Sequence, residues 1–208
     1  LYRYIGNPPK LTAWLAAGHE VSSDKLTWTF KLKEGVKFHD GSTVTAEDVA
    51  YSFKRLLTMG KGPSGAFKPV LKPENISAVD ASTVKFVLNK PYAPFLAALP
   101  LVAIVNAGVV KSHEKNGDWG AEWLSSKEAG SGAYSLDPST YRPQEIADFK
   151  RFADHFYGWG DNAKPIDIIR ANSIQETSTR VLALIRGDVD ATDSYLPTDQ
   201  VDRVEKAE

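Results

Sequence analysis

The sequence contains no cysteine. Disulfides, zinc ribbons and thiol catalysis are therefore excluded, while the compartment stays open, because exported and cytosolic proteins alike can lack the residue. A long hydrophobic run is missing too. The longest apolar stretch, 95–105, is broken by Pro100 and is too short to span a bilayer. Charge of one sign is also lacking: 25 basic and 26 acidic residues leave a net charge of -1 in 208 residues. That balance supplies neither a basic stripe for nucleic acid nor a polybasic membrane patch. No secretory signal, internal repeat or low-complexity tract is visible. The chain opens mid-pattern at LYRYIG and stops inside a charged helical run, DQVDRVEKAE, which reads as a fragment of a longer protein.

Catalytic signatures are equally scarce. None of the four histidines, His19, His39, His113 and His155, pairs with another at metal spacing, and there is no H-E-x-x-H. His39 and Asp40 are neighbours, but consecutive side chains of an extended segment point apart, so His39-Asp40-Gly41 reads as a solvated hairpin tip and not as a dyad. Gly130-Ser131-Gly132 lacks the G-x-S-x-G of a nucleophile elbow, and the loop at 60–65 lacks Walker A spacing. Asp188, Asp190 and Asp193 invite a calcium or hydrolase reading, but the glycine and terminal glutamate of an EF-hand loop do not follow. Trp119, Trp123, Tyr134, Tyr157, Trp159 and Tyr195 fall in or near loops, where they either stack on a ligand or pin the loop itself. From the residues alone an enzyme is unsupported and a binding module is the default, with no metal and no cofactor expected.

What is present centres on 26–57, LTWTFKLKEGVKFHDGSTVTAEDVAYSFKRLL. Leu26, Trp28, Phe30 and Leu32 alternate with polar residues, which predicts a strand with one buried face. Glu34-Gly35 interrupts it, 36–39 resumes an extended segment, and Asp40-Gly41 supplies a tight turn. Thr45 with Asp48 predicts a capping box, followed by a helix with Val49, Phe53, Leu56 and Leu57 on one face. Elsewhere, 1–5 reads as a strand. The apolar run 11–17 is ended by Gly18, and 20–25 is a polar turn. A hairpin is expected over 76–88 with its turn at Asp80-Ala81-Ser82, then a short helix at 95–99 and a buried strand at 101–105. One or two helical turns follow at 109–115, then an irregular stretch at 118–132. Strands are predicted at 133–136, 145–152, 165–171 and 189–191, and helices at 176–186, stopped by Gly187, and from Pro197 onward. Strands in groups followed by helices give a mixed α and β class.

The run FKLKEGVKFHDGSTVTAEDVAYSFKRLL closely resembles the signature region of the family 5 extracellular solute-binding proteins, the oligopeptide-, dipeptide- and nickel-binding receptors of ABC importers. Further matches follow in the family's order: the segment from Leu15 to Ser22, Pro94-Phe95-Leu96, Gly130-Ser131-Gly132-Ala133-Tyr134, and the run Arg180 to Asp190 followed by Leu196-Pro197. Ala133 stands where proline is common in that family. The resemblance implies a partial periplasmic-binding-protein type II-like lobe with a small accessory α/β subdomain. It places that subdomain at 13–114 and parts of the first, hinge-side lobe at 1–12 and 115–208, with the second lobe absent. It further implies capture of a small solute (peptide, opine, sugar or similar) by two-lobe closure and delivery to a membrane permease. The receptor would be a periplasmic or lipid-anchored monomer without catalytic activity. Strand ends that line clefts nominate Asn106, Ser131, Asp193, Ser194 and Tyr195 as ligand contacts, with Phe67 as a more remote one. Two alternatives stay open: a sensory or interaction module on the same fold, and a hydrolase using Asp188, Asp190 and Asp193.

Overall fold

The computed structural model describes residues 1–160, 164–193 and 195–207. The chain divides into two compact units, Leu1–Leu136 with Lys150–Asp167, and Asp137–Phe149 with Ile168–Glu208.

The first unit is built on a four-stranded antiparallel sheet of β3 (Ala16–Val21), β4 (Thr27–Leu32), β5 (Ile76–Asp80) and β6 (Thr83–Val87), in the order β3-β4-β6-β5. The predicted alternation in β4 is realised. Phe30 and Leu32 are buried, and Phe30 sits opposite Val84 of β6 while Trp28 sits opposite Phe86. Helix α1 (Ala46–Met59) covers this face with Val49, Phe53 and Leu57, all buried. Its Phe53 meets Phe86 edge-on at 4.8 Å and Phe67 at 5.5 Å, and Phe95 of the short helix α2 (Phe95–Ala98) closes the group against Phe86 at 5.7 Å. Edge-to-face aromatic pairs of this kind each contribute roughly 0.5–1.5 kcal/mol beyond the area they bury. A separate two-stranded ribbon pairs β1 (Tyr2–Ile5) with β2 (Lys10–Ala13).

Both ends of α1 are fixed as its sequence predicts. At the start, Asp48 Oδ2 accepts the Thr45 N–H at 2.8 Å and the Thr45 hydroxyl at 2.7 Å. At the end, Gly60 adopts φ of 67°, a left-handed stop that an L-residue with a Cβ takes only at a cost, and its N–H donates to Leu56 O at 3.1 Å.

The structure departs from the sequence reading at three strands. Gly18 does not end the apolar run; it sits inside β3, where the register shifts between Ala16 and Gly18. A glycine in a strand interior marks such an irregularity more often than a stop. The stretch 101–105 is not a strand. Val102 and Ile104 bury alternately as in one, but the Val105 N–H donates to Ser52 Oγ of α1 at 3.0 Å, and no strand among the described residues runs beside it. The segment 189–191 is likewise unpaired among the described residues. Beyond 105, α3 (Ala107–Ser112) and α4 (Ala121–Leu124) give short helical order to 107–124. Trp119 packs on Tyr51 at 5.5 Å and Trp123 stacks on His113 at 4.4 Å, so both tryptophans pin their loop.

The last three strands are β7 (Tyr134–Leu136), β8 (Ile146–Arg151) and β9 (Ile168–Asn172). In the first unit, the Phe152 N–H donates to Ala133 O at 2.8 Å and the Tyr134 hydroxyl to Ile166 O at 2.9 Å. In the second unit, Arg170 of β9 forms a fork on Asp148 of β8, with both N···O distances 2.7 Å. Every residue of β9 is exposed, Ile168 and Ile169 among them. Helix α5 (Thr177–Arg186) starts on Glu176, whose carboxylate accepts the N–H groups of Ser178 and Thr179, and stops at Gly187 with φ of 75°. Helix α6 (Thr198–Glu205) follows.

Candidate functional site

Asp40, Ser42 and Asn106 of the first unit meet at the Asp40-Gly41 turn. The hairpin is real: Lys37 bridges Thr43, and the Phe38 N–H donates to Ser42 O at 2.8 Å. At its tip Asp40, Gly41 and Ser42 are exposed, as the sequence suggests, whereas the His39 side chain is largely buried. Asp40 Oδ1 accepts the Ser42 N–H at 2.9 Å, and its Oδ2 accepts from Asn106 Nδ2 at 3.0 Å. Asn106 Nδ2 also donates to Ser42 Oγ at 2.9 Å, while Asn106 Oδ1 accepts the Val109 N–H at 3.0 Å and so caps α3. The Asn106 main-chain N–H donates to Ala129 O at 2.8 Å. Asn106 is thus a buried bracket between the turn, α3 and the glycine loop, with its side-chain groups satisfied inside the fold.

His39 reaches the same loop. Its main-chain N–H donates to Gly130 O at 2.9 Å. Its Nδ1 lies 2.7 Å from Glu128 Oε2 and its Nε2 lies 2.9 Å from Gly132 O. Glu128 Oε2 also accepts the Gly130 N–H at 2.8 Å. The His39 side chain is only 10 % exposed, with the edge of Phe152 at 5.0 Å. Burial disfavours the charged ring, but the Glu128 carboxylate and the Gly132 carbonyl outweigh it and hold the His39 pKa above the ordinary imidazole value. His155, close enough to feel the His39 charge, moves the other way, through burial first and then the positive charges of Arg3 and His39.

Three consequences follow. His39 is no partner of Asp40 and has no ring nitrogen left to act as a general base, because both face acceptors already in place. The glycine loop is gripped at Gly130 and Gly132, on either side of half-buried Ser131. The roles of His39 and Glu128 escape sequence reading because their partners lie far along the chain and no local pattern links them.

Phe67 has no exposed surface; it is a core residue against Phe53 and Phe95, so as placed it offers nothing to a solute. In the second unit, Asp193 Oδ2 lies 3.1 Å from Arg180 Nε, and its Oδ1 accepts the Tyr195 N–H at 3.0 Å. Tyr195 is 91 % exposed. Ser194 lies outside the described residues. A separate depression of about 360 Å³ in the first unit is lined by His113, Glu114, Lys115, Glu122, Trp123 and Lys127, with Lys115 and Glu122 paired at 3.2 Å. Among the described residues no group of three or more histidine, aspartate or glutamate side chains is placed to hold a metal ion. No helix among them is long and apolar enough to cross a membrane.

The comparisons with known proteins agree with this architecture. The chain is 39 % identical over 194 residues to the "Probable D,D-dipeptide-binding periplasmic protein DdpA" of Escherichia coli K12, covering 92 % of this chain and 35 % of that protein. Among solved structures it resembles the ABC transporter substrate binding protein CtaP of Listeria monocytogenes, with 30 % identity, a TM-score of 0.72, and coverage of 93 % of this chain and 38 % of that one. It also resembles the ABC transporter-associated periplasmic binding protein DppA of Helicobacter pylori, solved in complex with the peptide STSA, with 27 % identity, a TM-score of 0.68, and coverage of 86 % and 37 %. The chain spans about a third of the length of the curated relatives it matches. The family model described as bacterial extracellular solute-binding proteins, family 5 Middle, matches residues 10–208, and the chain belongs to that family.

Proposed function

We propose that this chain is part of the solute-capturing receptor of an ABC importer and that its solute is a short peptide. The observation that carries this reading is the 39 % identity to DdpA across almost the whole chain, joined to the peptide-bound state of DppA. In this reading 13–114 form the accessory subdomain, 1–12 and 115–208 contribute to the first lobe, and a second lobe completes the cleft. Capture proceeds by closure of the two lobes, after which a membrane permease accepts the solute. The receptor works as a periplasmic or lipid-anchored monomer and catalyses no reaction.

Within the chain, Ser131 and Tyr195 are the proposed solute contacts, each on a loop of its own unit, with Asp193 and Ser194 beside Tyr195. Asn106 acts one step behind, holding the loop that presents Ser131. Isothermal titration calorimetry on the full-length protein tests the reading, with D-alanyl-D-alanine, L-dipeptides and tetrapeptides as the panel. Micromolar or tighter binding of at least one peptide is expected. Heat from opines or sugars, with none from any peptide, would move the solute class while keeping the receptor. Silence across all of them would count against the receptor itself.

A further inference from the structure

We infer that His39 is a positioning residue: as an imidazolium it grips Glu128 and Gly132 together, fixes the loop that presents Ser131, and releases that loop as pH rises.

The geometry carries this argument. A backbone carbonyl only accepts, so the 2.9 Å contact from Nε2 to Gly132 O requires a proton on Nε2. A carboxylate also only accepts, so the 2.7 Å contact from Nδ1 to Glu128 Oε2 requires a proton on Nδ1. Both protons together make the ring a cation. The same Oε2 also accepts the Gly130 N–H at 2.8 Å, so two donors converge on this one oxygen. If the ring loses a proton, one nitrogen lone pair faces an oxygen lone pair at hydrogen-bond distance, and one end of the grip must open. Gly132 hangs on Nε2 directly, while Gly130 shares Glu128 Oε2 with Nδ1 and is held besides by the His39 main-chain N–H at 2.9 Å, so the change is felt at both glycines and the freed part of the loop is its Ser131–Gly132 side.

The groups facing the ring are consistent with a single cation there. Glu128 faces it from the loop, and Asp40 adjoins it in the turn. His155 is a further titratable group within reach of the ring's charge, and burial keeps it from charging readily. Lys37 and Asp154 lie further out and neutralise each other as an exposed pair at 3.7 Å. Phe152 supplies an apolar edge at 5.0 Å. The direction follows from linkage. The folded state raises the His39 pKa, so the grip is complete below the ordinary imidazole value and is lost as pH climbs through the raised one.

The latch stands on this geometry alone; its effect on solute affinity rests on the function proposed above. The experiment separates the two. In the ligand-free full-length protein, the His39 ring and the amides of Gly130, Ser131 and Gly132 are followed by NMR from acid to alkaline pH. The expected result is that the three amides shift with the ring's own midpoint and that Glu128→Gln, which keeps the shape and removes the charge, lowers that midpoint. His39→Gln should abolish the amide transition; if that variant does not fold, Glu128→Gln carries the test. Loop amides that stay still while the ring titrates would overturn the proposal. So would a midpoint that Glu128→Gln leaves unchanged. The affinity arm measures Kd for D-alanyl-D-alanine on both sides of the midpoint, where weakening of about fivefold or more with rising pH is expected for a coupled site. A moving loop with unchanged Kd removes the affinity consequence. A moving loop with no D-alanyl-D-alanine binding at any pH supports the latch and counts against the peptide reading instead.

Discussion

The Asp48 carboxylate accepts three hydrogen bonds from two distant parts of the chain, two from Thr45 and one from the Ala107 N–H at 2.8 Å. The first part was legible: threonine followed three residues later by an acid, ahead of an apolar helix face, is a capping box. The second was not, because nothing around Asp48 announces that Ala107 will arrive beside it. Asp48→Ala removes both functions and strands buried N–H donors, so a loss of about 2–4 kcal/mol is expected, read as a lower urea midpoint at unchanged m-value. At Gly120 two constraints coincide. Its φ is 68°, and an added Cβ would lie 2.5 Å from Val110 Cγ1. Gly120→Ala should therefore destabilise by roughly 2 kcal/mol or more, visible as a lower Tm and a displaced Trp119–Tyr51 contact in the near-ultraviolet circular dichroism.

At the scale of elements, legibility tracks how local the deciding interaction is. The β4 alternation, the α1 face and the hairpin at Asp80-Ala81-Ser82 each carry their evidence within a few residues, and each forms. The stretch 101–105 reads as a strand because β-branched residues with alternating burial look the same whether the backbone partner is a strand or the Ser52 hydroxyl of a helix. For α1, truncation of its central aromatic is the sharp test. Phe53→Ala opens a cavity between Phe67 and Phe86 and should cost about 3–5 kcal/mol in chemical denaturation. For α5, the test is acid. The hydroxyl of Thr179, then the hydroxyl of Ser178 and the two backbone N–H groups, bring the Glu176 pKa from 4.5 to about 2. A depressed carboxyl pKa contributes stability that is present above the unfolded value and lost as pH falls through the folded one. The Ser178 and Thr179 amides should therefore lose their capped chemical shifts as pH falls from about 4.5 to 2, while Glu176→Gln shows the weakened start at neutral pH.

At the scale of the whole molecule the two units differ in what they bury. Nearly all buried apolar side chains belong to the first unit, whereas the second has Val181 and a strand, β9, exposed along its length. Few buried contacts mean low local opening free energy. Amide hydrogen exchange on this 208-residue chain should accordingly run faster through 168–207 than through 27–87. Equal protection in both would refute this account of the second unit. Sequence reading identified the family from ordered matches along the chain, but the division into units depends on burial across many segments, which no single stretch discloses.

The sheet order β3-β4-β6-β5 also sets a timetable. Each hairpin, β3 with β4 and β5 with β6, closes over a short turn, and such pairs form in roughly microseconds. The central seam between β4 and β6 must instead wait for all of 33–82 to be gathered, α1 included, so its loop-closure entropy is met before any of its contacts repay it. Folding of the first unit is thereby governed by when Trp28 and Phe30 find Phe86 and Val84, and substitutions at that seam, or in the two outer turns that close before it, should slow refolding more than they hasten unfolding.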